Sequence, residues 1–148
     1  SFIIKNLGFN VEGRFNDFTV LSNFNIDNLE ESFINVEIRV KSIFTDVALR
    51  DEHLLKLDYF DVDTHPKIVF ESLGIEKTSN AAYILKGSLL MKGIKKKVES
   101  PLVIEDTEKY LRFTANFTLN RKDFGVGGSS FILSKNVNIK MIYVTVKN

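Results

Sequence analysis

Cysteine and tryptophan are absent from the 148-residue sequence, and proline occurs only twice. Without cysteine the chain has no disulfide, no thiolate metal site and no cysteine nucleophile. The absence of cysteine does not indicate whether the protein resides in an oxidising or a reducing compartment. The sequence also has no excess of positive or negative charge, because 20 Lys and Arg residues balance 19 Asp and Glu residues and leave a net charge of +1. This balance predicts no nucleic-acid partner. No apolar run approaches the roughly 20 residues of a membrane helix, which predicts a protein that is not integral to a membrane.

Phenylalanine is abundant, at 13 of 148 residues, in a chain that is 44% hydrophobic and 26% charged. This size and balance predict a single globular domain over residues 1–148 with one hydrophobic core. The phenylalanines indicate an interior that needs flat, wholly apolar side chains. Because the sequence opens at Ser1 without an initiator Met, we expect a signal segment or other residues to precede it.

Alternation with a period of two dominates the sequence and predicts half-buried antiparallel strands. Residues 33–41 give one of the clearest examples, with Ile34, Val36, Ile38 and Val40 on one face and polar residues on the other. Further alternating runs occupy residues 83–89, 98–104, 111–119 and 137–143, and shorter ones residues 2–7, 9–15, 18–26 and 68–73. Gly93 lies between two of these runs and predicts a hairpin there.

One segment breaks this pattern. Residues 46–57 carry apolar side chains at helical spacing after Asp46, which could cap a helix, so they predict the only substantial helix. About eight or nine strands, several of them long, with one short helix favour an all-β, up-and-down antiparallel β-barrel of about eight strands, because closure removes exposed strand edges. Such a barrel is either filled by side chains or holds one small ligand. Gly87 and Ala115 leave volume on its inward face, which either a bulky neighbour fills or a guest occupies.

Few residues offer catalytic or metal-binding chemistry. Asp61, Asp63 and His65 have a spacing that superficially suits a metal, but the segment lacks the glycine and closing glutamate of a calcium loop. No Gly-x-Ser-x-Gly elbow occurs. Ion pairs around Arg50 and Arg121 favour half-buried polar networks at the barrel mouth. We therefore expect no catalytic residue, no metal and no cofactor.

Five motifs in order connect the sequence to a known family. The chain contains FIIKNLGFNVEGRF, RDEHLLKLDYFDVDTHPKIVFES, YILKGSLLMKGIKKKV, ANFTLNRKDFGV and VNIKMIYVTV. In these motifs and their spacing it resembles the YceI-like polyisoprenoid-binding family over nearly its whole length. The resemblance implies a lipocalin-like barrel whose interior holds a long isoprenoid chain. It also implies an exported bacterial protein, usually periplasmic, with no established enzymatic reaction.

The resemblance and the phenylalanine content together predict an apolar tunnel for the transport or storage of a polyprenyl phosphate or a quinone-like lipid. A branched hydrocarbon gains about 0.8 kcal/mol per buried CH2 and needs no hydrogen-bond partners along its length. We expect the tunnel to be lined by Phe18, Ile34, Val36, Ile38, Val40, Phe70, Leu85, Leu89, Phe113, Phe117, Ile139 and Met141. Arg50, His53 and Arg121 are the candidates for contact with a polar or phosphorylated headgroup at the mouth.

Two other functions stay open from the sequence. One is an enzyme that acts on a small hydrophobic substrate, with His53 and the carboxylates from Asp58 to Asp63 as acid and base. The other is a barrel that is filled by its own side chains and acts through its surface. An outward apolar residue such as Ile142 or Val144 could then form a homodimer.

Overall fold

The computed structural model describes residues 1–147, which are mostly β-strand. The strands are β1 (Phe2–Asn6), β2 (Phe9–Phe15), β3 (Phe18–Asn23), β4 (Phe33–Arg39), β5 (Ile43–Phe44), β6 (Lys67–Lys77), β7 (Ala82–Met91), β8 (Ile94–Asp106), β9 (Tyr110–Asn120) and β10 (Leu133–Val146). One α-helix, α1, spans Ala48–Leu54, and 3-10 turns occupy Val40–Ser42 and Arg121–Phe124. Within residues 1–147, no helix has the length and apolar character to cross a membrane.

All ten strands belong to one curled antiparallel sheet. Their spatial order is β3-β4-β6-β7-β8-β9-β10-β1-β2-β5, so neighbours in the chain are mostly neighbours in the sheet. The all-β, antiparallel, up-and-down prediction is confirmed, but the sheet has ten strands rather than about eight. The strand that the alternation does not predict is β5, which the turn Val40–Ser42 separates from β4.

The short strand β5 curls the sheet back on itself. It continues the segment of β4 but pairs with β2, where Phe44 lies opposite Arg14 and Ile43 opposite Phe15. The backbone N–H of Asn16 also donates to the carbonyl of Ser42, at 3.1 Å. These bonds bring the two ends of the strand order together and enclose an interior.

The helix is shorter than the predicted range 46–57. Asp46 adopts a left-handed backbone conformation with φ of 67°, and Val47 takes the N-cap position without a side-chain cap. Asp46 therefore turns the chain out of β5 instead of capping the helix. At the other end the backbone N–H of Phe60 donates to the carbonyl of Leu54, which folds the following segment back under the helix.

The predicted inward faces of the long strands are confirmed by burial. Ile34 and Val36 on β4, Leu102 on β8 and Phe113 on β9 are all buried. They belong to a packed cluster at the end of the barrel away from α1. A second cluster, around Val40, Ile68, Leu89, Phe124 and Val126, lies beneath α1 and the loop that follows β9. The candidate site lies between and beside these clusters.

Candidate ligand-binding site

Two apolar cavities adjoin inside the curled sheet. The larger has a volume of about 590 Å³ and the smaller about 350 Å³. Ligand pockets in proteins span about 300–1,000 Å³, so each is large enough for a guest. The cavities share wall residues, namely Phe2, Phe15, Ile68, Met91, Leu119 and Ile139. Together they form a two-chambered interior, called here the large and the small cavity.

Small residues shape the wall of the large cavity in two different ways. A Cβ atom added to Gly87 would lie 2.3 Å from Cζ of Phe70, so the Phe70 ring already occupies the space of the missing side chain. Ala115 is buried and lines the large cavity directly. The two readings left open by the sequence therefore apply to different positions, with packing at Gly87 and open volume at Ala115.

The large cavity ends at a packed aromatic cluster. The ring of Phe24 contacts Tyr83 and Phe113 edge to face, at centroid distances of 5.8 and 5.5 Å. The loop that carries Phe24 is held by Ser32, whose hydroxyl donates to the carbonyl of Asn28 at 2.8 Å. Burial raises the pKa of the Tyr83 hydroxyl. This end of the interior is closed by side chains.

The small cavity lies at the opposite end, under α1 and the loop before β10. Helix α1 contributes Arg50, His53 and Leu54 to its lining, and the loop contributes Ser130 and Ile132. His53, Ser130 and Ile132 are exposed, so the small cavity reaches the surface between the helix and the loop. We call this opening the mouth.

Arg121 is a buried cation that holds this loop together. Its Nε donates to the carbonyl of Ser134 at 2.9 Å, and its Nη1 donates to those of Val126 and Gly128, each at 2.9 Å. Its Nη2 donates to the carbonyl of Leu133 at 3.3 Å. A guanidinium has five N–H groups, so these four bonds leave little capacity for a headgroup. Arg121 is thus mainly a clamp between the 3-10 turn and β10.

Thr45 organises the second polar cluster of the small cavity. Its hydroxyl accepts a hydrogen bond from Nε of Arg50 at 2.7 Å, and its backbone N–H donates to Oδ1 of Asp51 at 2.9 Å. Arg50 also donates from Nη2 to the Thr45 carbonyl. The Nη1 group of Arg50 has no partner among residues 1–147. Arg50 therefore keeps N–H donors that a guest could use.

Two further polar side chains face the same space. The ring of His53 packs edge to face on Tyr59, with centroids 5.2 Å apart. Asn6 lines the small cavity at the end of β1, and its Oδ1 is buried without a hydrogen-bond partner in the described part of the chain. Leaving a buried polar atom unpaired costs about 1–3 kcal/mol. Asn6 is therefore a candidate contact for a polar group on a guest.

The charged side chains that line the small cavity are both cations. Arg50 and Arg121 line it together with His53, and no carboxylate of residues 1–147 does so. Asp51 turns its Oδ1 towards Thr45, and the carboxylates of Asp58 and Asp61 lie outside the lining. The wall thus favours an anionic or hydrogen-bond-accepting group over a cation.

The predicted tunnel residues divide into two groups. Lining the large cavity are Phe18, Val36, Ile38, Phe70, Leu85, Leu89, Phe117, Ile139 and Met141. Ile34, Val40 and Phe113 line neither cavity of the described chain, because they are almost fully buried within the packed clusters. Arg50, His53 and Arg121, which the sequence predicted to lie together at the mouth, all line the small cavity. Their part in binding stays a prediction.

The sequence interpretation missed the residues at the junction of the two cavities. The rings of Phe2 and Phe15 contact each other at a tilt of 47° with centroids 5.8 Å apart, and Phe15 contacts Phe60 edge to face at 5.9 Å. These rings come from short strands and a loop, where alternation is weak. Gly13 marks the contact in the sequence, because a Cβ atom there would lie 2.2 Å from the Phe2 ring.

The arrangement needed by the enzyme alternative is not assembled in the described chain. His53 lines the small cavity, but Asp58, Asp61 and Asp63 line neither cavity, so the proposed acid and base do not face a common guest. Within residues 1–147, no group of three or more His, Cys, Asp or Glu side chains is placed to hold a metal ion.

Comparison with known proteins places this geometry in a family. A model of the YceI-like domain matches residues 1–145. The chain belongs to the YceI-like domain family. It is also similar to a UPF0312 protein of Pseudomonas syringae pv. tomato, with 33% identity over 138 residues that cover 86% of this chain and 70% of that protein.

Solved structures of other proteins share this fold. BcnA from Burkholderia cenocepacia superposes with a TM-score of 0.93 at 23% identity, across 97% of this chain and 93% of that one. A polyisoprenoid-binding domain from Saccharophagus degradans superposes with a TM-score of 0.75 at 10% identity, across 97% of this chain and 90% of that one. At these identities the likeness concerns the fold.

Proposed function

We propose that the protein binds a long-chain isoprenoid lipid for transport or storage, with the hydrocarbon in the large cavity and the headgroup in the small one. The observation that carries the proposal is the pair of adjoining, mainly apolar cavities, of which the small one holds Asn6, Arg50, His53 and Arg121 beside the mouth. Membership of the YceI-like family supports it, as does the shared fold with a polyisoprenoid-binding domain.

The large cavity suits a branched hydrocarbon. Phe70, Leu85, Phe117 and Met141 present aromatic and aliphatic surface, and burial of each CH2 group gains about 0.8 kcal/mol. The position of the closed aromatic cluster then limits the length of chain that fits. Selection among isoprenoids would depend on length more than on hydrogen bonding.

The small cavity suits a single polar headgroup. Arg50 offers unused N–H donors, and a phosphate or carbonyl oxygen could accept from them. Asn6 offers a buried amide oxygen without a partner beside the same space, and this oxygen can accept a hydrogen bond from a hydroxyl group of the headgroup. This polar set is consistent with a polyprenyl phosphate and with a quinone-like lipid, and identification of the natural guest decides between them.

Native mass spectrometry with solvent extraction tests the proposal. We expect the purified protein, or the protein offered undecaprenol in detergent, to carry a discrete isoprenoid adduct. A clean apo mass with no uptake would contradict the proposal and favour action through the surface. Export to the periplasm also stays a proposal, based on the family resemblance, and fractionation of the native host tests it.

Paired variants on β9 place the guest. Phe117→Asp puts a carboxylate into the large cavity, and we expect loss of the adduct because an unpaired charge in an apolar site is strongly unfavourable. Thr118→Asp is the matched control, since Thr118 is exposed on the outer face of the same strand. Phe113 is unsuitable for this test because it is part of the packed core. Equal retention by both variants would contradict the proposed position of the hydrocarbon.

A further inference from the structure

Four exposed apolar side chains surround the mouth. Leu7 and Phe9 belong to the β1–β2 hairpin, and Phe131 and Ile132 to the loop before β10. Phe131 is fully exposed and Phe9 is 77% exposed. We call these four residues the rim patch. Large apolar side chains grouped at one place on a surface mark an interaction site.

The two halves of the rim patch are fixed side by side. The backbone N–H of Leu7 donates to the carbonyl of Ile132 at 2.8 Å. The hydroxyl of Ser130 accepts from the N–H groups of Ile132 and Leu133, which shapes the second half. Ile132 also lines the small cavity, so the rim patch is continuous with the proposed path of the lipid.

Leu7 is unfavourable in two respects. Its φ is 52°, a left-handed conformation in which Asn, Asp or Gly is the usual choice, and its side chain is exposed to water. Neither property improves the hairpin. A large apolar side chain at the tip of a turn is favourable when the tip enters an apolar phase.

The charges in the two segments that carry the rim patch are basic. Residues 5–10 and 129–135 include Lys5 and Lys135 and contain no Asp or Glu. Lys122 approaches the loop from the 3-10 turn, where its Nζ donates to the Ser129 hydroxyl at 2.9 Å. Each lysine near an anionic bilayer contributes about 1 kcal/mol of attraction. Apolar tips with flanking lysines are complementary to an anionic lipid surface.

We propose that the rim patch docks the protein on an anionic lipid bilayer, with the mouth of the small cavity towards the membrane. This inference rests on the proposed function, because an isoprenoid resides in membranes and must leave them to enter the protein. Docking lets the lipid pass between bilayer and cavity without crossing water.

Vesicle flotation tests the docking. The probes are phosphatidylcholine vesicles with and without phosphatidylglycerol, mixed with the wild type, the double variant Phe9→Ser/Phe131→Ser and the control Leu21→Ser. Leu21 is similarly exposed but lies on β3, away from the mouth. We expect the wild type and Leu21→Ser to float with the anionic vesicles. The double variant should partition at least tenfold less, about 1.4 kcal/mol.

Three outcomes would overturn the docking proposal. The first is flotation of the double variant equal to that of the wild type, and the second is no flotation of the wild type. The third is a wild-type dimer in sedimentation velocity that the double variant abolishes, because a second copy would then cover the rim patch. Uptake of undecaprenol from detergent distinguishes failure of membrane docking from failure of lipid binding. A double variant that takes up undecaprenol but does not float supports docking. A wild type that does not take up undecaprenol refutes the binding function instead.

Discussion

Replacement of Arg121 by methionine distinguishes a structural clamp from a headgroup ligand. The methionine keeps much of the side-chain volume but removes the donors to the carbonyls of Val126, Gly128, Leu133 and Ser134. If Arg121 is a clamp, the ligand-free protein loses stability. If it served a headgroup alone, the ligand-free protein would be unaffected.

The size of the effect follows from the bonds. A hydrogen bond from a charged donor contributes about 1.5–3 kcal/mol, and the three bonds of Arg121 at 2.9 Å give roughly 4.5–9 kcal/mol in total. Burial of the guanidinium costs several kcal/mol, which methionine recovers. The carbonyl of Gly128, which is exposed, can bond to water instead. We expect a net loss of about 2–4 kcal/mol in the free energy of unfolding.

Urea denaturation of the ligand-free protein measures this loss. Lys122→Met is the matched control, because Lys122 is exposed in the same 3-10 turn and its side chain bonds, within residues 1–147, to the Ser129 hydroxyl alone. Arg121→Lys should be intermediate, since an ammonium cannot reach carbonyls on both sides of the loop. Proteolysis within residues 126–132 should accelerate in Arg121→Met alone. A loss below about 0.5 kcal/mol, within the range of ordinary surface substitutions, would refute the clamp.

Three further predictions concern single positions. Gly127→Ala should lower the free energy of unfolding, measured by urea denaturation, by about 1–3 kcal/mol. Gly127 has φ of 69°, and a Cβ atom there would lie 2.8 Å from Nη1 of Arg121 and 3.0 Å from the Tyr59 ring. Gly128→Ala is the control and should cost less, because the space around Gly128 is open. Asn6→Leu removes a buried amide oxygen without a partner, so it should stabilise the ligand-free protein by about 1 kcal/mol and weaken the adduct in native mass spectrometry. Unchanged stability would mean that Oδ1 has a partner such as water. Burial raises the pKa of Tyr83 in the folded protein, so its contribution to stability is complete below the unfolded pKa of about 10 and is lost as the pH rises through the folded pKa. Tyr83→Phe should therefore flatten the decline of the urea midpoint above about pH 10, and an identical decline would contradict the assignment.

Much of the fold could be predicted from alternation alone. Strands such as β4 and β9 have one buried and one exposed face, so apolar and polar residues alternate along their sequence with a period of two. The strand count was harder, because the break after Arg39, which creates the short strand β5, depends on how the sheet curls. The family resemblance, carried by motifs spread over the chain, is confirmed by the match over residues 1–145.

The candidate site was less accessible to sequence reasoning. Inward residues of one strand look alike in sequence, although Val36 lines the large cavity and Ile34 is packed in the core. The difference depends on which neighbouring strand approaches, and this information is not local. Arg121 was expected at the mouth, but its carbonyl partners lie on a loop that has no periodic pattern. A carbonyl acceptor is present at every residue and leaves no signature in a sequence.

The contact of Phe70 with Gly87 has a consequence for how this interior can evolve. One ring fills the space of two side chains on neighbouring strands, so neither residue can change in size alone without a clash or a void. Phe2 and Gly13 form a second pair of this kind. Among relatives, the side-chain sizes at the members of each pair should therefore vary in opposite directions. A lineage that altered the shape of its interior would have to pass through paired substitutions, one on each of two adjacent strands.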